Sequence, residues 1–433
     1  MKKILMHNKN LKGKTKVLGD KSISHRAIMF GAIAEGVTNI KGLLKGEDCI
    51  STINCFKDLG IKITEENNII SVYGNGLYGL KKPNKTLYVG NSGTTIRIIS
   101  GILSAQNFSC EITGDSSIIK RPMKRIIEPL SLMGANIESN NNLAPLNING
   151  NNLNGISYNM PVASAQVKSA ILLASLYAKG KTTIIEKFKS RDHSEIMLNY
   201  FGANINVNGN IIQSKKIEKL NAQNIEICGD ISSACFIIVG ALITENSHII
   251  IENVGINPTR IGFLEILKKM GANINFLNTR FVSGEKVCDI EVKYSKLKCC
   301  NISGEIIPRM VDEIPLFALV ASLANGKSIV KDAQELKFKE SNRIKTITTE
   351  LNKIGANIIE TDDGMIIEGN RTFFGNKCES YNDHRIAMCI AIASLVCKEP
   401  IILNDYECIN ISFPNFFDIL ENFKILNILS CLI

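Results

Sequence analysis

The chain has 433 residues, 45% hydrophobic and 21% charged, with a formal net charge of +9. That composition excludes a largely disordered chain, and the length is more than one hydrophobic core accommodates. The positive balance suits nucleic acid or small anions, but the lysines are scattered, the densest run from Lys2 to Lys16 has no interleaved aromatics, and Trp is absent, so no nucleic-acid groove is expected.

In chain order, the first helical run, Ser24 to Gly36, opens on Gly19-Asp20-Lys21-Ser22-Ile23 and gives way to the β-prone Val37-Thr38-Asn39-Ile40. Phe56-Lys57-Asp58-Leu59-Gly60-Ile61-Lys62-Ile63 then reads as the end of an amphipathic helix, a Gly at the left-handed position that stops it, and a strand of period two. The same order returns. Apolar helix and strand span Gly93 to Ile112 and are followed by Leu132-Met133-Gly134-Ala135-Asn136-Ile137; Gln166 to Ile185 by Tyr200-Phe201-Gly202-Ala203-Asn204-Ile205; Ile231 to Ile251 by Lys269-Met270-Gly271-Ala272-Asn273-Ile274. Asp312 to Val330 precedes Lys353-Ile354-Gly355-Ala356-Asn357-Ile358, and Asp383 to Leu403 ends in a helix-like Phe416 to Phe423 without the signature. The turns after the six helices, Gly36, Asn107, Gly180, Asn246, Gly326 and Glu399, lie 66 to 80 residues apart. One unit therefore reads helix, strand, helix, strand, strand over about 70 residues, an α/β repeat. A single unit cannot bury its small-sided helix, so neighbours must cover it. A linear solenoid and closed globules both remain open on this pattern.

The helix openings hold the chemistry. Gly19 to Arg26, Gly90-Asn91-Ser92-Gly93-Thr94-Thr95-Ile96-Arg97, Ala163-Ser164-Ala165-Gln166-Val167-Lys168, Asp230-Ile231-Ser232-Ser233, Met310-Val311-Asp312-Glu313 and Tyr381-Asn382-Asp383-His384-Arg385 all supply an N-cap residue type. Capping does not explain Lys21 and Arg26. A cation at a helix start opposes the helix dipole unless an anion binds there, beside free backbone N–H groups. Lys120-Arg121-Pro122-Met123 places two cations before a proline suited to a first helical position. Lys339 and Arg343, four apart with Glu340 between them, are expected on one helix face, where a solvated ion-pair lattice is the plainer reading. Ser190-Arg191-Asp192-His193-Ser194-Glu195 reads as a capping box of Asp192 and Glu195, and His193 as structural.

Neither a P-loop spacing nor a G-x-G-x-x-G is present, and the five histidines and 13 cysteines show no metal-ligand or C-x-x-C spacing, so no cofactor and no metal is expected. Basic Met1 to Asn8 lacks a signal-peptide core and no apolar stretch reaches 18 residues; no membrane segment and a reducing, cytoplasmic setting are expected.

Gly19 to Arg26, Gly90 to Arg97, Lys339-Glu340-Ser341-Asn342-Arg343 and Asn382-Asp383-His384-Arg385-Ile386-Ala387-Met388 closely resemble, in order along the chain, the signatures of 5-enolpyruvylshikimate-3-phosphate (EPSP) synthases. The resemblance implies a two-domain inside-out α/β barrel of six βαβαββ repeats, with domains at 20–225 and at 1–19 plus 226–433, helix starts facing an interdomain cleft, and a monomer. It implies transfer of the enolpyruvyl group of phosphoenolpyruvate to the 5-hydroxyl of shikimate 3-phosphate through a tetrahedral intermediate, in aromatic amino acid biosynthesis. Lys21, Ser22, Arg26, Ser164, Ala165, Gln166, Ser190, Asp312, Glu335 and Lys339 match positions that hold shikimate 3-phosphate. Lys21, Asn91, Gly93, Arg121, Gln166, Arg343 and Arg385 match the phosphoenolpyruvate cradle. Lys21, Asp312 and Glu340 match the acid and base positions, and Gly93 implies sensitivity to glyphosate.

This sequence departs from that pattern at three places. Ile411 stands where many relatives carry a Lys, Ala165 where some carry Ser, and Ser117, Ile118 and Ile119 where relatives often supply a further cation. The sister enzymes acting on a UDP-linked amino sugar usually carry a Cys in the loop corresponding to Gly114 to Met123, and here that loop has none. A catalytically dead repeat protein would have no reason to keep Lys21, Asp312, Glu340 and Arg385.

Overall fold

The computed structural model describes residues 1–5 and 10–429, so residues 6–9 of the basic N-terminal run lie outside it. The chain forms two compact units. One, here the N-terminal unit, is Gly19–Ile227 with Phe281–Glu285; the other, the C-terminal unit, is Met1–Leu18, Cys228–Arg280 and Lys286–Ile433.

The N-terminal unit contains α1 (Lys21–Ile33), α2 (Glu47–Asp58), α3 (Gly93–Leu103), α4 (Lys124–Leu132), α5 (Ala165–Ser175) and α6 (His193–Tyr200). Its sheets repeat one topology. In the second repeat Leu87–Tyr88 runs parallel to Ser109–Thr113, which pairs antiparallel with Leu146–Asn149, and Asn136–Ser139 forms the far edge. The third sheet orders Ser157–Met160, Lys181–Glu186, Ile211–Lys215 and Asn206–Asn208 in the same way. In the first, the parallel entry strand next to Glu35–Lys41 is Asn224–Glu226, from far along the chain. The strand that precedes α1, Lys12–Lys16, pairs instead with His248–Gly255 in the C-terminal unit.

The C-terminal unit contains α7 (Ile231–Ile243), α8 (Gly262–Lys269), α9 (Ile306–Met310), α10 (Ile314–Leu323), α11 (Arg343–Lys353), α12 (His384–Ala393) and α13 (Phe416–Leu429). Its sheets are Lys12–Lys16 with His248–Gly255, Glu285–Lys293 and Asn273–Val282; Lys327–Val330 with Gly364–Glu368 and Asn357–Thr361; and Lys377–Glu379 with Ile401–Asn404 and Lys2–Leu5. The incomplete sixth repeat is thus finished by the first strand of the chain, Lys2–Leu5, antiparallel to Ile401–Asn404. Among the described residues no sheet closes into a barrel; all six are open.

The apolar helices are interior. Every residue of α1 from Ile23 to Ile33 is buried, as is α7 from Ile231 to Leu242 and α10 from Ile314 to Ser322. Small residues allow this packing: a Cβ on Gly101 of α3 would stand 2.2 Å from the Ala170 carbonyl oxygen of α5. The Gly of each repeated signature, Gly60, Gly134, Gly202, Gly271 and Gly355, has φ between +86° and +110°, the left-handed stop that the pattern requires.

Three local expectations are corrected. Pro122 is not a first helical residue, because α4 begins at Lys124. Lys339 and Arg343 share no helix: Lys339 is extended after a 3-10 turn, and α11 begins at Arg343. Asp192 makes no side-chain cap on α6, and the capping box fails because the buried Glu195 carboxylate turns inward to Lys168, 2.7 Å away. A buried ammonium outcompetes a backbone N–H for a carboxylate.

Candidate active site

In the N-terminal unit, α1, α3 and α5 begin on side-chain caps. Asp20 accepts from Ile23 N at 2.9 Å, Ser92 from Thr95 N at 3.1 Å, and Ser164 from Val167 N at 3.4 Å. Ser164 therefore uses its hydroxyl as a cap, with Ala165 as the first helical residue. Lys21, at the start of α1, pairs with Asp48 of α2. Arg26 is buried, and three of its five N–H donors go to neutral acceptors: Nε to Ser194 Oγ at 2.7 Å, Nη1 to Ser22 O at 2.9 Å, Nη2 to Ser169 Oγ at 2.8 Å. Burial lowers its pKa to about 10.

Around the start of α3, Arg121 donates to Asn91 Oδ1 and, at 3.0 Å, to Ser117 Oγ, while its buried Nε has no partner among the described residues. Arg97, not among the expected site residues, donates to Gln166 Oε1 at 2.9 Å, and Gln166 Nε2 donates to Thr94 Oγ1 at 3.1 Å. Both ends of the Gln166 amide are thereby oriented. Ser190 presents a buried hydroxyl with no partner among the described residues.

His25 lies behind this face. Its Nδ1 is 2.7 Å from Thr52 Oγ1, which is 2.7 Å from Thr95 Oγ1, itself 2.6 Å from the cap hydroxyl of Ser92. Burial lowers the imidazole pKa from 6.5 to about 3. The unfolded chain therefore binds a proton that the folded one refuses between about pH 6.5 and 3, and stability falls as pH falls through that window. At pH 5 the loss is about 2 kcal/mol relative to neutral pH. Denaturant titrations of wild type and His25→Gln at pH 7 and pH 5 check it: the variant should lose that share of the pH dependence, and equal slopes would contradict it.

In the C-terminal unit the expected residues converge on one guanidinium. Arg343, 1% exposed, donates from Nε to Asp383 Oδ2 at 2.8 Å, from Nη1 to Asp312 Oδ1 at 3.3 Å, and from Nη2 to Glu340. This is no solvated lattice. Burial opposes its charge, yet Asp383, Glu340 and Asp312 together raise its pKa above the ordinary arginine value. Arg385 lies 3.7 Å from both Asp312 and Glu313. Asp312 is not a helix cap; it sits in the 3-10 turn Val311–Glu313 and bridges the two arginines. Asp383, by contrast, caps α12 through Arg385 N at 2.9 Å and also accepts from Ser341 Oγ at 2.9 Å. Lys339 is 3.9 Å from Glu335, and desolvation lowers its pKa.

At two of the three departures a side chain has a packing reason. Ile118 is completely buried, in a turn whose Ser117 and Ile118 N–H groups are held by Asp115 Oδ1 at 2.9 Å each. Ile411 is half-buried against the C-terminal core.

The model of the family "EPSP synthase (3-phosphoshikimate 1-carboxyvinyltransferase)" matches residues 5–420. The chain belongs to the EPSP synthase family. Within that family it is 55% identical, over 94% of its length and 96% of the relative's, to a 3-phosphoshikimate 1-carboxyvinyltransferase of Thermoanaerobacter sp. strain X514. It is similar to the solved EPSP synthase of Acinetobacter baumannii, with 45% identity, a TM-score of 0.87 and 97% of each chain covered. The enolpyruvyl transferase NikO from Streptomyces tendae shares the fold at 13% identity and a TM-score of 0.80, over 97% of each chain. No helix of the described residues is long and apolar enough to cross a membrane.

Proposed function

We propose that the helix-start residues hold the two substrates of the family's reaction. The chain transfers the enolpyruvyl group of phosphoenolpyruvate to the 5-hydroxyl of shikimate 3-phosphate and releases phosphate, a step of aromatic amino acid biosynthesis. The observation that carries the site reading is Arg26: a buried guanidinium held by two hydroxyls and a carbonyl has its geometry fixed and its charge left for a bound anion. Ser22, Arg26, Ser164, Ala165, Gln166 and Ser190, with Asp312, Glu335 and Lys339, take shikimate 3-phosphate. Asn91, Gly93, Arg121, Gln166, Arg343 and Arg385 take phosphoenolpyruvate, and Lys21 serves both.

The chemistry needs an acid at the enol carbon, a base at the attacking hydroxyl and cations on the departing phosphate. Glu340, paired with Arg343, is the proton donor or shuttle for the carbon. Asp312 is the base toward the shikimate hydroxyl, and Lys21 assists phosphate departure from a tetrahedral intermediate. Arg343 already donates to three carboxylates, Asp383, Asp312 and Glu340, so a substrate anion bound there shares the guanidinium with them or displaces one. The active form in this reading is a monomer without cofactor.

Gly93 tests the phosphoenolpyruvate half. A Cβ there would stand 2.7 Å from Arg97 Nη1 and 3.2 Å from Arg121 Nη1, pressing on the cations of the cradle. Gly93→Ala should raise the glyphosate inhibition constant about tenfold or more, with a smaller rise in the KM for phosphoenolpyruvate. Steady-state inhibition measures it, and unchanged constants would remove Gly93 from this site.

A further inference from the structure

Three ionisable side chains lie buried beneath the turn that carries Ser190. Lys168, the fourth residue of α5, is 0% exposed; its Nζ is 3.0 Å from Glu186 Oε2 and 2.7 Å from Glu195 Oε1, and it donates to the Ser190 carbonyl at 3.3 Å. Glu186, the last residue of its strand, accepts the Ser190 N–H on Oε1 at 3.0 Å. Both peptide groups of Ser190 are therefore held by buried charges, while its hydroxyl is left without a partner among the described residues. Charge-assisted hydrogen bonds of this kind are shorter and stronger than neutral ones and are oriented by their buried setting.

Stability does not account for the cluster, because well-packed apolar groups in place of a buried ion pair are often neutral or stabilising. Position accounts for it. The first turn of α6 adds to the same construction: Ser194 Oγ accepts from Arg26 Nε and lies 2.6 Å from Ser169 Oγ, next to Glu195. We infer that Lys168, Glu186 and Glu195 are positioning residues that fix the Ser190 turn so that its hydroxyl is aimed at shikimate 3-phosphate. The inference rests on the assignment of Ser190 to that substrate.

The test is a mutant cycle read by steady-state kinetics. The apolar pair Lys168→Met with Glu186→Leu removes the cation and one carboxylate but leaves the buried Glu195 without its cation, so a lower melting temperature is expected and the kinetics are read on the folded enzyme. It should raise the KM for shikimate 3-phosphate about tenfold while kcat and the KM for phosphoenolpyruvate change less than about twofold. In a Ser190→Ala background, which itself raises the same KM, the apolar pair should add less than about twofold, because the clamp acts through Ser190. An equal rise in both backgrounds, or none in either, overturns the inference. A Ser190→Ala enzyme with unchanged KM sinks the Ser190 assignment itself, a separate result. Should the apolar pair fail to fold, Glu186→Gln, which keeps volume and an amide oxygen, is run through the same cycle with the same criteria.

Discussion

Asp312→Ala is expected to lower turnover by about 10²–10⁴-fold, the range for removal of a positioned general base, while the protein folds and still binds shikimate 3-phosphate. The geometry separates these outcomes. Asp312 contributes no cap to α10, which begins at Ile314 with Pro315 in its first turn, so its loss leaves that helix start intact. Its carboxylate lies 3.3 Å from Arg343 and 3.7 Å from Arg385, and its removal leaves Arg343 with Asp383 and Glu340. Single-turnover chemistry and equilibrium binding of shikimate 3-phosphate distinguish the cases. Turnover within a few-fold of wild type would return Asp312 to a structural role, as would loss of the folded state.

Arg343→Met should destabilise the C-terminal unit by about 3–5 kcal/mol, because it leaves the fully buried Asp383 without its cation, and Asp312 and Glu340 beside it. Arg343→Lys should recover part of that stability but little activity, since one ammonium cannot reproduce a fork that meets three carboxylates in three directions. Chemical denaturation without substrates, alongside kcat/KM, provides the comparison. A Met variant as stable as wild type would show that these carboxylates do not depend on Arg343, contrary to the geometry.

The repeat was legible because its signals are local. A left-handed Gly, an apolar helix and a period-two strand recur in phase, and the structure places helix, strand, helix, strand, strand at each of the first five copies. Strand exchange was not legible in the repeat pattern, and the grouping of 1–19 with 226–433 came from the resemblance alone. Nothing in Lys12-Gly13-Lys14-Thr15-Lys16 says that it pairs with His248–Gly255, while Asn224–Glu226 serves the first sheet, because register between distant segments leaves no periodic trace. The helix openings each supplied a cap residue type without saying which residue caps, and the structure uses Asp20, Ser92, Ser164, Asp230 and Asp383 in five of the six. The partners of the site residues were not readable, since Asp48 for Lys21 and Asp383 for Arg343 are tertiary contacts.

A signal for the Ser190 clamp was nevertheless present. In Lys181–Glu186 the inward positions are Thr182, Ile184 and Glu186, so the alternation itself points a carboxylate into the core. Lys168 stands likewise in the otherwise uncharged run Val167 to Ser175. A charge at a core-facing position requires a partner. Glu195 carries no such signal: Asp192 and Glu195 satisfy the capping-box spacing, and only the proximity of Lys168 decides otherwise.

Enolpyruvyl transfer to shikimate 3-phosphate frees the phosphate of phosphoenolpyruvate, so phosphate release is the quantity to measure. With purified protein and no added cofactor, release should require shikimate 3-phosphate, be stoichiometric with an enolpyruvyl product, and be absent when the UDP-linked amino sugar replaces it. Release with the sugar alone, and none with shikimate 3-phosphate, would make the amino sugar the acceptor instead.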